Sequence, residues 1–198
     1  PTMPGGGFLQ HTLVHQLQRH HDGAAPMHRL GRWTSGAVVC SRNKAVATSI
    51  ARQFADRTMA KRYRALAVGY PSQDHFNINT PIGPVPYPPL GSVHATSRGG
   101  RPASSSVRVV QRREHEFLCD VSIATGRPHQ IRIHLATAGH PLVGDPLYVP
   151  GGLPAAGGTA LPGDPGYQLH SAELQFEHPV TGRRLQVLAP LPAALQVK

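Results

Sequence analysis

Two stretches of the chain gather residue types that can do chemistry together. Met27-His28-Arg29-Leu30-Gly31-Arg32-Trp33-Thr34-Ser35-Gly36 sets two arginines, a histidine, an indole and two hydroxyls among two glycines. Gly126-Arg127-Pro128-His129-Gln130-Ile131-Arg132-Ile133-His134 sets two arginines and two histidines around a glutamine. Guanidinium groups grip phosphate or carboxylate with forked hydrogen bonds, and a flat ring can stack on a nucleic-acid base. Gly31 and Gly36 allow backbone shapes other residues resist, so the first stretch reads as a tight connection presenting side chains to a cleft.

The charge balance points the same way. The 198 residues carry 20 Lys and Arg against 10 Asp and Glu, a formal net charge of +10. A surplus that large on one domain marks a polyanion partner, nucleic acid before an anionic membrane; a basic surface kept for solubility is the plain alternative. Arginine greatly outnumbers lysine, which favours forked phosphate contacts. Apolar runs stay below ten residues, too short to span a bilayer. Cys40 and Cys119 each sit inside an apolar run and read as buried small hydrophobes in a reducing compartment. The chain begins at Pro1 without a methionine, so it is expected to be N-terminally truncated, with any targeting segment out of sight. An intracellular compartment, an organelle included, is as far as localisation goes.

The elements that must position these residues follow from periodicity. Leu9, Leu13 and Leu17 predict a short amphipathic helix over 8–21. Its His11 and His15 are four apart, but without an acidic ligand or a His-Glu-x-x-His pattern they read as a solvated face, and no metal is expected. Ala37–Cys40 predicts a buried strand, and Val46, Ile50 and Phe54 predict a helix from Lys44 to Asp56 behind a Ser41-Arg42-Asn43 cap. Lys61–Tyr70 alternates as a strand with Tyr63, Ala65 and Ala67 on one face, and 74–81 as a second short strand. The proline-rich 81–91 reads as a bent loop, and 97–104 as a basic loop bearing Arg98 and Arg101. Val107–Gln111 and Glu116–Ile123 predict a hairpin, and Gln130–Ala138 a helix stopped by Gly139-His140-Pro141. A turn with a buried aspartate, Asp145, follows. Residues 150–166 read as a surface loop, and Leu169–Phe176 and Arg184–Leu188 as closing strands. The sum is an α+β chain, one domain over 1–198, with a mixed, mostly antiparallel sheet, flanking helices and a central cleft.

Several motifs now fall in one order: His28-Arg29-Leu30-x-x-x-Thr34-Ser35-Gly36, Lys61-x-Tyr63, Gly126-Arg127-x-His129-Gln130-Ile131-Arg132-x-His134, Gly139-His140-Pro141-Leu142-x-Gly144-Asp145-x-x-Tyr148, Leu169-His170-Ser171 and His178-Pro179-Val180-Thr181-Gly182. Together they resemble the catalytic domain of the RluA-type RNA pseudouridine synthases, and in particular a plant-like subgroup with His-Arg-Leu-Gly. The match runs from Pro26 onward, with residues 1–7 similar to the tail of an earlier family segment. The resemblance implies isomerisation of uridine to pseudouridine in structured RNA, rRNA or tRNA, without cofactor or metal, by a monomer that does not enter membranes. It implies catalytic roles for Tyr63, against the base, and Arg132, which in the family pairs with a catalytic aspartate. RNA contacts fall to His28, Arg29, Arg32, Thr34, Arg127, His129 and Gln130. The target base must leave its stack to be reached. Taken singly, Tyr63 would be a core strand aromatic, Arg132 a solvated helix arginine, and His129 and His134 structural histidines. Their joint order reverses those odds.

One position departs. Where the family pattern has the catalytic aspartate, this chain has Gly31. Glycine can neither attack a sugar carbon nor take a proton, and loss of an essential nucleophile removes on the order of 10⁴ to 10⁶ in rate in other covalent catalysts. Three readings stay open: another carboxylate fills the role, with Asp145 and Asp120 nearest the motifs; the domain is a non-catalytic RNA-binding module on the same fold; or a lineage with His-Arg-Leu-Gly works by a different route.

Overall fold

In the computed structural model, residues 2, 3, 8 and 10–198 are described. In chain order the elements are α1 (Leu13–Gln18), β1 (Ala25–Pro26), β2 (Thr34–Gly36), β3 (Cys40–Ser41), α2 (Lys44–Ala55), β4 (Ala60–Val68), β5 (His75–Ile78), β6 (Ile82–Tyr87), β7 (Gly91–Thr96), β8 (Ser105–Arg112) and β9 (Glu116–Ile123). Then come α3 (Gln130–Thr137), β10 (Tyr148–Val149), β11 (Leu153–Pro154), β12 (Leu169–Glu177) and β13 (Arg184–Leu188). The central sheet runs β13-β12-β4-β9-β8-β5, antiparallel throughout. β2 joins it parallel to the start of β12, pairing Thr34 with Leu169 and Gly36 with Ser171.

β4 shows why the sheet has two different faces. Tyr63, Ala65 and Ala67 turn toward Ile131 and Leu135 of α3, in a core shared with Val107, Phe117, Cys119 and Val121. The small alanines leave room for the helix. On the opposite face Leu66 and Leu118 pack under Leu195, while Arg64 pairs with Asp120 across the register. α3 is buried from Gln130 through Ala136, because its other side meets a second core of Tyr87, Val93, Leu147 and Tyr148. Fully buried Ile133 and Leu135 each contribute about 1.5–3 kcal/mol. A helix hidden on all sides cannot leave polar atoms unpaired. His134 accordingly donates from Nε2 to Thr80 O at 3.0 Å and accepts at Nδ1 from Ser105 Oγ at 2.8 Å.

α2 matches its periodicity: Asn43 Oδ1 accepts from Val46 N at 3.0 Å, and Val46, Ile50 and Phe54 close a satellite core with Met59 and Phe176. Other expectations are corrected. The first helix is only Leu13–Gln18, capped by Thr12, with no buried residue; Leu9 lies outside the described residues, as do 1 and 4–7 of the irregular entry. Ala37–Val39 is not a strand, and Cys40 belongs to the short β3. The strand falls earlier, at Thr34–Gly36, because the chain there docks along β12. Gly36 makes that docking possible: its φ is +106°, and a Cβ would stand 2.2 Å from Ser171 O. The proline-rich segment is a strand too. β6 pairs with β7 in a two-stranded ribbon, with Pro84 opposite His94 and Pro86 opposite Ser92. Such a ribbon draws donors from alternate residues only, so prolines two apart do it no harm. Residues 150–166 do more than cover surface: they hold β11, and Ala160, Pro162 and Gly163 offer carbonyls to Tyr87, Arg132 and Trp33.

Candidate active site

A cleft of about 590 Å³ opens where four segments meet beside the start of β4. The β1–β2 connection supplies His28, Arg29 and Gly31; β4 supplies Lys61 and Tyr63; the β9–α3 connection supplies Arg127 and His129; β7 supplies His94. A deeper recess of about 100 Å³ continues past Thr34 to Arg132 and Tyr167. Of the residues expected at the site, His28, Arg29, Gly31, Thr34, Tyr63, Arg127, His129, Gln130 and Arg132 line one or both spaces. Arg32 does not. Its guanidinium lies over the Phe8 ring at 4.7 Å and against Gly163.

The polar atoms of Gln130 are all engaged within the chain. Nε2 donates to Ser104 O and Ser105 Oγ, and Oε1 accepts from Thr125 Oγ1 at 2.7 Å and Arg127 N at 3.0 Å. Gln130 therefore clamps the connection that carries Arg127 and His129. Arg127 in turn donates from Nε to Pro102 O.

Arg132 is buried, not a solvated helix arginine. Its Nε and Nη2 form a forked pair with Asp145 at 2.7 Å each, and Nη1 donates to Pro162 O at 2.8 Å. The guanidinium is stacked between the rings of Tyr167 (4.1 Å) and Tyr148 (5.0 Å). Asp145 also accepts from the backbone of Leu147 and Tyr148 and is wholly enclosed. It is saturated, so it cannot stand in for a missing nucleophile. Asp120 cannot either: it lies on the opposite face of the sheet, held by Arg62, Arg64 and Arg108. Among the described residues, no carboxylate lines the cleft or its recess.

At position 31 the structure shows what occupies the space instead. A Cβ built on Gly31 would stand 2.6 Å from Tyr167 Oη and 3.2 Å from Thr34 Oγ1. Thr34 Oγ1 donates to Tyr167 Oη at 3.4 Å. Tyr167 was not singled out in the sequence. The available signal was its place two residues before Leu169-His170-Ser171, an aromatic closing a Gly- and Pro-rich loop. Lys61, part of the Lys61-x-Tyr63 motif but given no role from sequence, sits over the Phe54 ring at 5.5 Å and lines the cleft.

Burial tunes the titrating groups here. It pushes the Tyr63 phenol up to about 12 and the Lys61 ammonium down. Burial, and then Lys61, bring His28 down to about 4; its Nε2 accepts from Val39 N at 3.0 Å, so Nδ1 carries the proton. Burial, then the neighbouring Arg132, bring His129 to about 4 as well. At neutral pH the site is thus a set of neutral rings inside a cationic frame. That combination suits a flat, anionic-backboned ligand whose base is taken out of its stack.

Comparison with known proteins identifies the family. The profile of the RNA pseudouridylate synthase family matches residues 8–137. An uncharacterised RNA pseudouridine synthase of Synechocystis sp. is 43% identical over 98% of this chain and 68% of its own length. RNA pseudouridine synthase 5 of Arabidopsis thaliana is 38% identical over 99% of this chain and 68% of its own length. Among solved structures, human RNA pseudouridylate synthase domain containing 1 superposes with a TM-score of 0.72 at 26% identity, covering 96% of this chain and 78% of that one. With its sheet, its cleft and its ordered motifs, the chain belongs to the RluA-type family of RNA pseudouridine synthases.

Proposed function

We propose that this chain isomerises uridine to pseudouridine in structured RNA, rRNA or tRNA. The reaction breaks the bond between uracil N1 and ribose C1′, joins C5 to C1′, moves a proton off C5 and leaves one on N1, with no atom gained or lost. The observation that carries the reading is the convergence of Tyr63, Arg132, Arg29 and Arg127, from three separate segments, on one cleft beside position 31. Arg29, Arg127 and Lys61 hold phosphates; the Tyr63 ring lies against the extruded base; Arg132, tied to Asp145, sets the floor. Gln130 holds the Arg127 connection and does not reach RNA. Tyr167 Oη is the oxygen at the place where the family's aspartate would stand.

The test is chemical mapping of pseudouridine in rRNA and tRNA transcripts incubated with the protein. Product that is lost on Tyr63→Phe, with folding and RNA binding unchanged, supports isomerisation. Tight, salt-sensitive binding without product in any transcript supports the non-catalytic RNA-binding module instead.

A further inference from the structure

One group in the cleft has a hydrogen-bonding polarity settled by its neighbours. Tyr148 Oη lies 2.7 Å from His94 O and 2.7 Å from His129 Nδ1. A carbonyl oxygen only accepts, so the one phenolic proton goes to His94 O. His129 Nδ1 must then donate to Tyr148 Oη, because two facing lone pairs at 2.7 Å would repel. The neutral imidazole carries a single N–H, which leaves Nε2 as a bare lone pair. Nε2 has no partner among the described residues, and His129 lines both the cleft and its recess.

The backbone supports a purpose for this ring. His129 is one of two non-glycine residues with positive φ among the described residues, at +53°, and it caps α3 in the left-handed region. Around it the cleft offers donors. Arg29, Arg127 and Lys61 have no acceptor at all, and His28 has spent its lone pair on Val39 N.

Resting on the uridine reading above, we propose that His129 Nε2 accepts the N3–H of the extruded base and so selects uracil over cytosine. Uracil carries a donor at N3 between two carbonyl acceptors, which suits one lone pair flanked by cationic donors. Cytosine has a lone pair at N3, which would face the Nε2 lone pair with no hydrogen between them. A buried polar mismatch of that kind discriminates by about tenfold or more. The low pKa of the ring keeps it neutral at physiological pH, as an acceptor must be.

The probes are nucleotides, so the test does not depend on knowing the natural RNA. Imidazole ¹⁵N spectra of the free protein should show His129 protonated at Nδ1; a proton on Nε2 would overturn the proposal. Uridine 5′-monophosphate should shift the Nε2 resonance and bind about tenfold or more tightly than cytidine 5′-monophosphate or 3-methyluridine 5′-monophosphate. Equal binding of the three would overturn it too. His129→Asn, which tolerates the left-handed backbone but is too short to reach, should erase the preference. Tyr148→Phe leaves His129 in place but frees its tautomer, and should narrow the preference; a purely structural role would weaken all three nucleotides alike. An absence of pseudouridine in transcripts alongside an intact nucleotide preference would sink the isomerase reading, not this one.

Discussion

The hydroxyl of Tyr167 stands where a side chain at position 31 would begin, 2.6 Å from the Cβ that Gly31 lacks. The next ring atom, Cζ, is 3.8 Å away, an ordinary contact. Gly31 and Tyr167 are therefore sterically matched: the sharpest clash of a Cβ at 31 is with this one oxygen, with Thr34 Oγ1 next at 3.2 Å. Gly31→Asp alone is expected to destabilise the chain by about 1–3 kcal/mol through overpacking and to add no pseudouridine product. Combining it with Tyr167→Phe should recover most of that loss. The two changes are in contact, so a denaturation double-mutant cycle should be clearly non-additive; additive values would refute the pairing.

Arg132 and Asp145 form a buried ion pair with side chains 3% and 0% exposed. Removing one partner strands the other charge, so Arg132→Ala and Asp145→Ala should each cost about 3–5 kcal/mol in urea unfolding. Arg132→Lys should recover little, because an ammonium cannot reproduce the fork to Asp145 together with the bond to Pro162 O. For this reason Tyr63→Phe, not Arg132→Ala, is the cleaner probe of activity.

His28 and His129 both have folded pKa values near 4, against 6.5 for a free imidazole. Between those values the unfolded chain binds protons that the native state refuses, so the contribution of these two histidines falls as pH drops from about 6.5 towards 4 and levels off below. Urea midpoints should decline across that window. In His28→Gln and His129→Gln the decline should be shallower. An unchanged slope in both variants would show that other groups cause it.

RNA affinity should fall with salt, because Arg29 and Arg127 at the cleft would displace counterions from phosphates. Arg29→Ala and Arg127→Ala are each expected to reduce the slope of log K against log salt by about 0.7–0.9. A slope that does not move in either variant would remove these residues from the RNA path.

Much of this architecture could be read from the chain. The stripe Val46, Ile50 and Phe54 placed α2, and the alternation around Tyr63, Ala65 and Ala67 placed β4, because each element's buried face repeats with its own period. Local pattern failed where partners were distant. Ala37–Val39 looked like a strand by composition, but strand pairing went to Thr34–Gly36, where Gly36 lets β2 approach Ser171. The prolines of β6 argued for a loop until β7 supplied a ladder that needs donors only at alternate residues.

The site divides in the same manner. Residue identity and order alone reveal the family, the cationic and aromatic residue types, and the missing carboxylate at Gly31. The folded chain alone reveals that Asp145 is spent on Arg132, that Asp120 faces away, that Gln130 is a clamp and that Arg32 lies outside the cleft. It also brought Tyr167 across 136 positions to fill the place beside Gly31. The reason is physical: which hydrogen bonds a polar group has left to offer, and which neighbour fills a given space, depend on residues far apart in sequence, and no local period records them.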